Sequence, residues 1–410
     1  REMIQKLDRL IENDPYNDAK PQWMFQKAKL MWELRNMEYL RKRAKYNKCL
    51  NAATQGTTDE SQCSEPDPDY EDAQAIYKKI LTQYPDYQRL DEVIFRLGRG
   101  LIDAGKGSQA VGYLQRLVKN YPNSRYIAEA NLALAEYFFN QELLGAARDK
   151  YKKVLEYPNN DNYDYALYKL GWVYFNQNEY RSSIDTFKKV VERTDDTLGF
   201  QNQAINDLVV AYAEVDDGWK EMREYFMKKR DEKFTYDKLG QLANLYESQG
   251  KDGEAIEVYE YFIDKRPDHR RIPEWMENVI QSEKRIVGDG DFRQLEDTIN
   301  EYVAYLSPSG TWWKKNKGEK GARNNAKLLS QASLAFLANK YHRRGQKHDS
   351  TKAYKSAAKY YEEYIERWPE DSASFDMNFF VAEIYLLDLD DYEMAASHYQ
   401  KVVDLYKADK

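Results

Sequence analysis

The stretch "KNYPNSRYIAEANLALAEYF", residues 119–138, decides how this chain is read. A helix-compatible run stops at Tyr121-Pro122, an Asn-Ser pair follows, and a second apolar run starts at once. Proline has no backbone N–H and disfavours helix at the residue before it, so this is a helix stop followed by a helix start. Whether it is one hairpin or part of an array depends on whether the seam recurs.

The seam does recur. Pro85 and Pro158 also follow a tyrosine, in "LTQYPDY" and "LEYPNN", while Pro267 lies in "DKRPDH" and Pro369 in "ERWPED". The spacing is about 36 residues or close to a multiple of it, with Pro308 and Pro15 at further seams. Ala110 and Leu114 precede Pro122 at the offsets that Ala255 and Tyr259 hold before Pro267, and Ala357 and Tyr361 before Pro369. Further upstream come small–large pairs three residues apart: Gly98 and Leu101, Ala135 and Phe138, Gly171 and Tyr174, Ala243 and Tyr246, Ala382 and Tyr385. Within one unit, Ala166, Leu167, Leu170, Gly171 and Tyr174 recur at helical steps. "NQNEY" then turns the chain, and Ile184, Phe187, Val190 and Val191 line the next helix. "GKGSQ", "NQELLG" and "SQGKDG" make the corresponding turns elsewhere.

This pattern resembles the tetratricopeptide repeat, whose units are helix–turn–helix pairs with small, large and aromatic residues at set positions and a closing proline. The best-fitting units are residues 92–122, 129–158, 165–194 and 237–267. The units ending near 194, 230 and 405 lack the proline, and 272–308 is degenerate, with Trp275 and Ile280 out of place. The expected fold is all-α, a right-handed superhelical solenoid of about nine or ten stacked hairpins. Four regions are expected. Residues 1–91 are N-terminal units with an insertion at 45–69, and 92–271 a regular array. Residues 272–326 hold the degenerate repeat and a Trp/Lys-rich loop, and 327–410 the C-terminal units.

The chain has 410 residues and a net charge of −7, which makes nucleic acid and anionic lipid poor default partners. No run approaches the length of a membrane helix. The chain opens on Arg1-Glu2-Met3, which reads as an excised or processed fragment, and its first helix as the second half of a pair. Membrane tethering through a preceding segment is therefore left open. Cys49 and Cys63 are the only cysteines and share one polar stretch, which reads as a loop. A disulfide between them is expected, implying an oxidising compartment.

Sequence signatures of chemistry are absent. "GDGDF", residues 288–292, lacks the remaining ligands of a calcium loop, and the four histidines show no ligand spacing. No cofactor, metal or catalytic residue is expected, and the chain is read as non-enzymatic.

The resemblance implies that first helices line the concave face. It points to Tyr165, Tyr168, Trp172 and Phe175 in one unit, Glu92, Phe95, Arg99 and Ile102 in another, and Asp237, Gly240, Asn244 and Glu247 in a third. Tyrosine and tryptophan suit binding hot spots. The family's clamp for chaperone tails is not formed by the matching Phe95, Arg99, Leu132, Glu136, Tyr168 and Trp172. Trp312 and Trp313, beside Lys314, Lys315, Lys317 and Lys320, are a further candidate contact, or alternatively one tryptophan caps the core.

The Tyr-Pro-Asn-Ser seam leading to Ala128 is similar to that of bacterial envelope repeat proteins, such as the β-barrel-assembly lipoprotein, the Tol-Pal coordinator and gliding-motility arrays. That likeness implies a periplasmic or envelope-associated scaffold presenting its groove to an extended peptide or helix. The alternatives are a cytoplasmic adaptor or regulator, and a non-catalytic part of a larger enzyme.

Overall fold

A computed structural model describes residues 1–67, 69–193 and 200–408. Thr194, where one repeat was expected to end, lies outside them. The described residues are helical with short turns and contain no strand. The chain divides into two compact units, Arg1–Asp216 and Asp217–Lys410.

Unit one contains α1 (Glu2–Asn13), α2 (Lys20–Thr54), α3 (Glu71–Gln83), α4 (Leu90–Asp103), α5 (Gly107–Asn120), α6 (Ile127–Asn140), α7 (Leu144–Val154), α8 (Tyr163–Asn176), α9 (Tyr180–Arg193) and α10 (Phe200–Tyr212). Unit two contains α11 (Gly218–Lys229), α12 (Glu232–Ser248), α13 (Asp252–Lys265), α14 (Ile272–Val287), α15 (Arg293–Tyr305), α16 (Thr311–Lys315), α17 (Lys320–His348), α18 (Thr351–Arg367), α19 (Ser372–Glu383) and α20 (Tyr392–Ala408). Within each unit, sequence neighbours pack on one another, as a stack of helical hairpins requires.

Two turn types alternate. Inside the hairpins a left-handed residue ends the first helix: Gly105, Glu142, Asn178 and Gly250 have φ of 69°, 58°, 59° and 71°. The next residue's N–H then reaches back five residues, as from Lys106 to Leu101 (2.8 Å) and from Glu179 to Tyr174 (2.9 Å). This bond satisfies a helix-end carbonyl that would otherwise lack a partner. Between hairpins, the pre-proline residues Asp14, Tyr84, Tyr121, Arg266 and Trp368 share φ of −129° to −136° and ψ of 58° to 74°. The proline ring forbids helix at that residue, so five seams adopt one shape. Pro158 and Pro308 differ, because α7 and α15 stop earlier, at caps Leu155 and Leu306.

The small residues permit close approach within a hairpin. A Cβ at Gly98 would lie 2.7 Å from Leu114 Cδ2, one at Gly171 2.6 Å from Phe187 Cε1, and one at Gly345 2.8 Å from Tyr354 Cδ1. Trp275 and Ile280 of the degenerate repeat are buried, and Trp275 packs on Phe262 at 5.1 Å and His269 at 4.9 Å between ring centroids.

Two stretches read as loops contain helix. α2 continues past residue 44 to Thr54 and carries Cys49, because "RKRAKYNKCLNAAT" has no glycine or proline to stop it. Cys49 and Cys63 are bonded, with Cα atoms 5.6 Å apart. Residues 307–326 fold into α16 and the first residues of α17.

Phe187 is fully buried between Tyr168 and Trp172, so it cannot swing away from a new methyl group. Gly171→Ala is therefore expected to destabilise unit one by about 1–3 kcal/mol. Gly240→Ala, on α12 where no atom lies within 4 Å of the new Cβ, is expected to stabilise by about 0.5–1 kcal/mol. Urea unfolding followed by circular dichroism checks both signs.

Candidate functional site

The first-helix face of unit one is built from α4, α6, α8 and α10, and its aromatic residues reach from one repeat to the next. Phe95 of α4 stacks on Tyr126 at the start of α6, with centroids 4.7 Å apart. The Tyr165 hydroxyl donates to Glu136 of α6 at 2.5 Å. Tyr165 and Tyr168 each pack on Phe200 of α10, at 6.1 Å. The Trp172 indole N–H donates to Tyr168 Oη at 2.9 Å and to Asp207 Oδ2 of α10 at 3.1 Å. Lys169 Nζ sits 4.2 Å from the Phe139 ring centre, and burial lowers its pKa.

These contacts divide the expected residues. Tyr168 is 8% exposed and belongs to the core, so its assignment to a partner-binding surface is corrected. Its hydroxyl pKa is pushed up to about 12, chiefly by burial. Tyr165, Trp172, Phe175 and Phe95 remain half-buried, each with part of its surface free. Arg99 is exposed and pairs with Asp103 at 3.4 Å. Together with Lys29, Trp32, Tyr77, Phe95, Arg96 and Gly100 it lines a cavity of about 70 Å³. Glu92, a groove position by spacing, is buried and held by Arg89, Arg96 and Arg125, which counter the desolvation of its carboxylate.

In unit two, Asn244 is exposed and accepts from the Tyr259 hydroxyl at 3.0 Å. The same hydroxyl reaches Glu247, which also takes Arg285 at 3.0 Å. These first-helix positions of unit two are polar, whereas those named in unit one are mainly aromatic.

The tryptophan pair separates. Trp312 is fully buried and donates its indole N–H to the His269 carbonyl at 2.9 Å. Asn316 donates to the Asp268 carbonyl at 3.1 Å, Tyr305 to the Pro267 carbonyl at 2.8 Å, and Lys315 pairs with the Asp268 carboxylate. Residues 305–316 thus grip the seam turn at 267–269. Trp312 cannot meet a partner here: the expectation of a contact residue is corrected to a core anchor. Trp313 stays half-buried under the Arg323 guanidinium, 4.5 Å from its ring. No spacing rule flags the 267–269 turn as its receptor. In "GDGDF", Asp289 pairs with Lys340 and Asp291 with Arg293. Among the described residues, no His, Cys, Asp and Glu cluster is placed to hold a metal ion. No described helix is long and apolar enough to cross a membrane.

This geometry defines a helical-repeat protein whose first-helix faces offer a mixed aromatic and polar surface. Comparison with known proteins agrees on the repeat. Residues 95–164, 165–194 and 239–270 each match the tetratricopeptide repeat, so the chain contains such repeats in both units. No curated protein matches.

The chain is similar to three solved structures. One is "Structure of Naa15/Naa10 bound to HypK-THB", at 14% identity and TM-score 0.36, covering 98% of this chain and 58% of that one. The second is a tetratricopeptide repeat protein from Parabacteroides merdae, at 12% identity and TM-score 0.31, covering 83% and 99%. The third is the apo quorum sensor NprR from B. thuringiensis, at 15% identity and TM-score 0.30, covering 88% and 98%. Nothing about partners follows from likenesses at this level.

Trp312→Ala is expected to cost about 3–5 kcal/mol in unit two, because it empties a fully buried site and orphans the His269 carbonyl. Trp313→Ala loses mainly a half-buried cation–π contact worth about 1–2 kcal/mol. Thermal unfolding of the pair separates anchor from surface residue.

A pH effect follows from Asp207. Burial raises its carboxyl above the ordinary 3.8, against the Tyr168 and Trp172 hydrogen bonds that lower it. The folded state then holds this proton more tightly than the unfolded state. Stability is therefore full below the unfolded value and is lost as pH rises through the window up to the folded one. Asp207→Asn keeps an acceptor for Trp172 without the charge. Amides of α8 and α10 should exchange more slowly in the variant near neutral pH, and the difference should vanish below about pH 3.8.

Proposed function

We propose that this protein is a non-enzymatic scaffold whose first-helix face binds an extended peptide or helix of a cell-envelope partner. The observation that carries the reading is the half-buried row of Phe95, Tyr165, Trp172 and Phe175. Contacts with the next repeat hold Phe95, Tyr165 and Trp172, and Phe175 packs on Trp172 and Tyr180 of its own hairpin, while part of each ring stays open. Rigid aromatic groups lose little entropy on binding and bury large areas, which suits them as anchors. In unit two, Asn244 and Glu247 would offer hydrogen-bonding positions on that unit's own first-helix face. In this reading the repeats form a concave groove, and a segment that orders on binding uses its length at modest affinity.

The bonded Cys49 and Cys63 support a periplasmic or envelope location, since such bonds persist in oxidising compartments. The four regions marked by the repeat pattern, with boundaries near 91, 271 and 326, would then be segments of one binding array.

One experiment addresses both parts. Photo-crosslinking residues placed at Phe175 and Arg99 on the first-helix face, and at the exposed Lys119 of the second-helix α5, are expected to give partner adducts from the first two only. Equal labelling from all three overturns the groove. Protein recovered from the same cells and alkylated without reductant should remain unmodified at Cys63; an alkylated Cys63 overturns the compartment.

A further inference from the structure

The first helices α4, α6 and α8 are 14 residues long, but α2 has 35. Its buried residues, Pro21, Met24, Phe25 and Ala28, all lie in the first third. The overhang beyond residue 36 therefore adds no buried residue to the core, yet it is held in place. The Cys49–Cys63 bond ties the loop that follows it back onto the helix, and Arg43 pairs with Glu65 of that loop. A rigid element that buries no residue calls for a different use.

Its composition indicates one. Residues 41–48, "RKRAKYNK", hold five cations and no acid in a chain of net charge −7. Arg43 is paired, but Arg41, Lys42, Lys45 and Lys48 are exposed and have no ion-pair partner among the described residues. At 100° per residue, Arg41, Lys45 and Lys48 share one face with Met37 and Leu40, which are 52% and 55% exposed. Arg43 projects away from this face, while Glu38, paired with Arg1, and Cys49, which ties the loop, border it on the Lys45 side. The result is a two-part stripe, apolar at one end and cationic at the other.

We propose that this stripe docks an acidic amphipathic segment of a partner protein, with carboxylates against Arg41, Lys45 and Lys48 and an apolar side chain over Met37 and Leu40. The chain supplies a precedent for the chemistry. Residues 55–69 carry Asp59, Glu60, Glu65, Asp67 and Asp69 with no basic residue, and this acidic segment already lies against the helix through Glu65 and the disulfide. The same carboxylates disfavour a membrane as the occupant. Cys49 ties them beside the stripe, so an anionic bilayer laid over it would feel their repulsion. A narrow segment can lie along the stripe alone.

The test uses the whole chain and a fluorescein-labelled helical peptide with Glu at i, i+4 and i+7 and Leu at i−4 and i−1, matched to the stripe. Anisotropy should show binding that weakens by about tenfold between 50 and 300 mM salt, as expected for exposed charge pairs. The peptide with Gln for Glu should bind about tenfold more weakly or not at all. Arg41→Glu/Lys45→Glu/Lys48→Glu should abolish binding. Reversing the exposed Lys78, Lys79 and Lys119 makes the same change in net charge and should leave binding in place. Circular dichroism and the milder Arg41→Gln/Lys45→Gln/Lys48→Gln variant separate lost charge from lost fold. Unchanged binding in either stripe variant, equal affinity for the Gln peptide, or binding to phosphatidylglycerol vesicles without binding to the peptide overturns the proposal.

Discussion

The close approach of the two helices of a hairpin, made possible by a missing or minimal side chain, is the constraint on which the rest depends. At Gly98, Gly171 and Gly345 the partner helix's Leu114, Phe187 and Tyr354 occupy the space a β-carbon would need. Phe187, drawn in this far, fills the α8/α9 hairpin and orders the rings around it. Tyr168 and Trp172 pack on its sides, and the Trp172 N–H is left pointing at Asp207 of the next first helix. One small residue thereby sets both the hairpin and the join between hairpins.

The turns convert this pairing into a stack. A left-handed residue closes the hairpins, and at five seams a pre-proline residue in one shared geometry opens the next. Both are local backbone solutions that need no help from distant residues. The turn at Pro267 carries an additional clamp. Trp312, Asn316, Tyr305 and Lys315 all fasten onto residues 267–269, reaching back 38 to 48 positions of sequence. A degenerate repeat has lost part of its regular packing, and this clamp supplies replacement contacts.

The surface left over has two characters. On the first-helix face of unit one, rings are half used for packing and half open, so that the atoms that stabilise the stack are the ones also presented to solvent. On the overhang of α2, the helix is held by a disulfide and the ion pairs Arg43–Glu65 and Arg1–Glu38, and presents cations and two apolar side chains to solvent. Tetratricopeptide repeats account for the first surface and say nothing of the second.

The all-helical class, the period near 36 residues, the helix stops at Tyr-Pro and the small–large positions were legible in sequence, because each arises from local rules: proline geometry, helical spacing and side-chain size. Tertiary structure alone decided which half of each pattern is exposed. Spacing places Tyr165, Tyr168 and Trp172 on one face, but only the nearby α10 shows that Tyr168 is covered while Tyr165 and Trp172 keep an open side. Trp312 and Trp313 are adjacent and chemically identical. One is core and the other is surface because the receptor carbonyl belongs to a turn far back in the chain. Burial depends on what another segment brings within a few ångströms, and a one-dimensional pattern does not contain that distance.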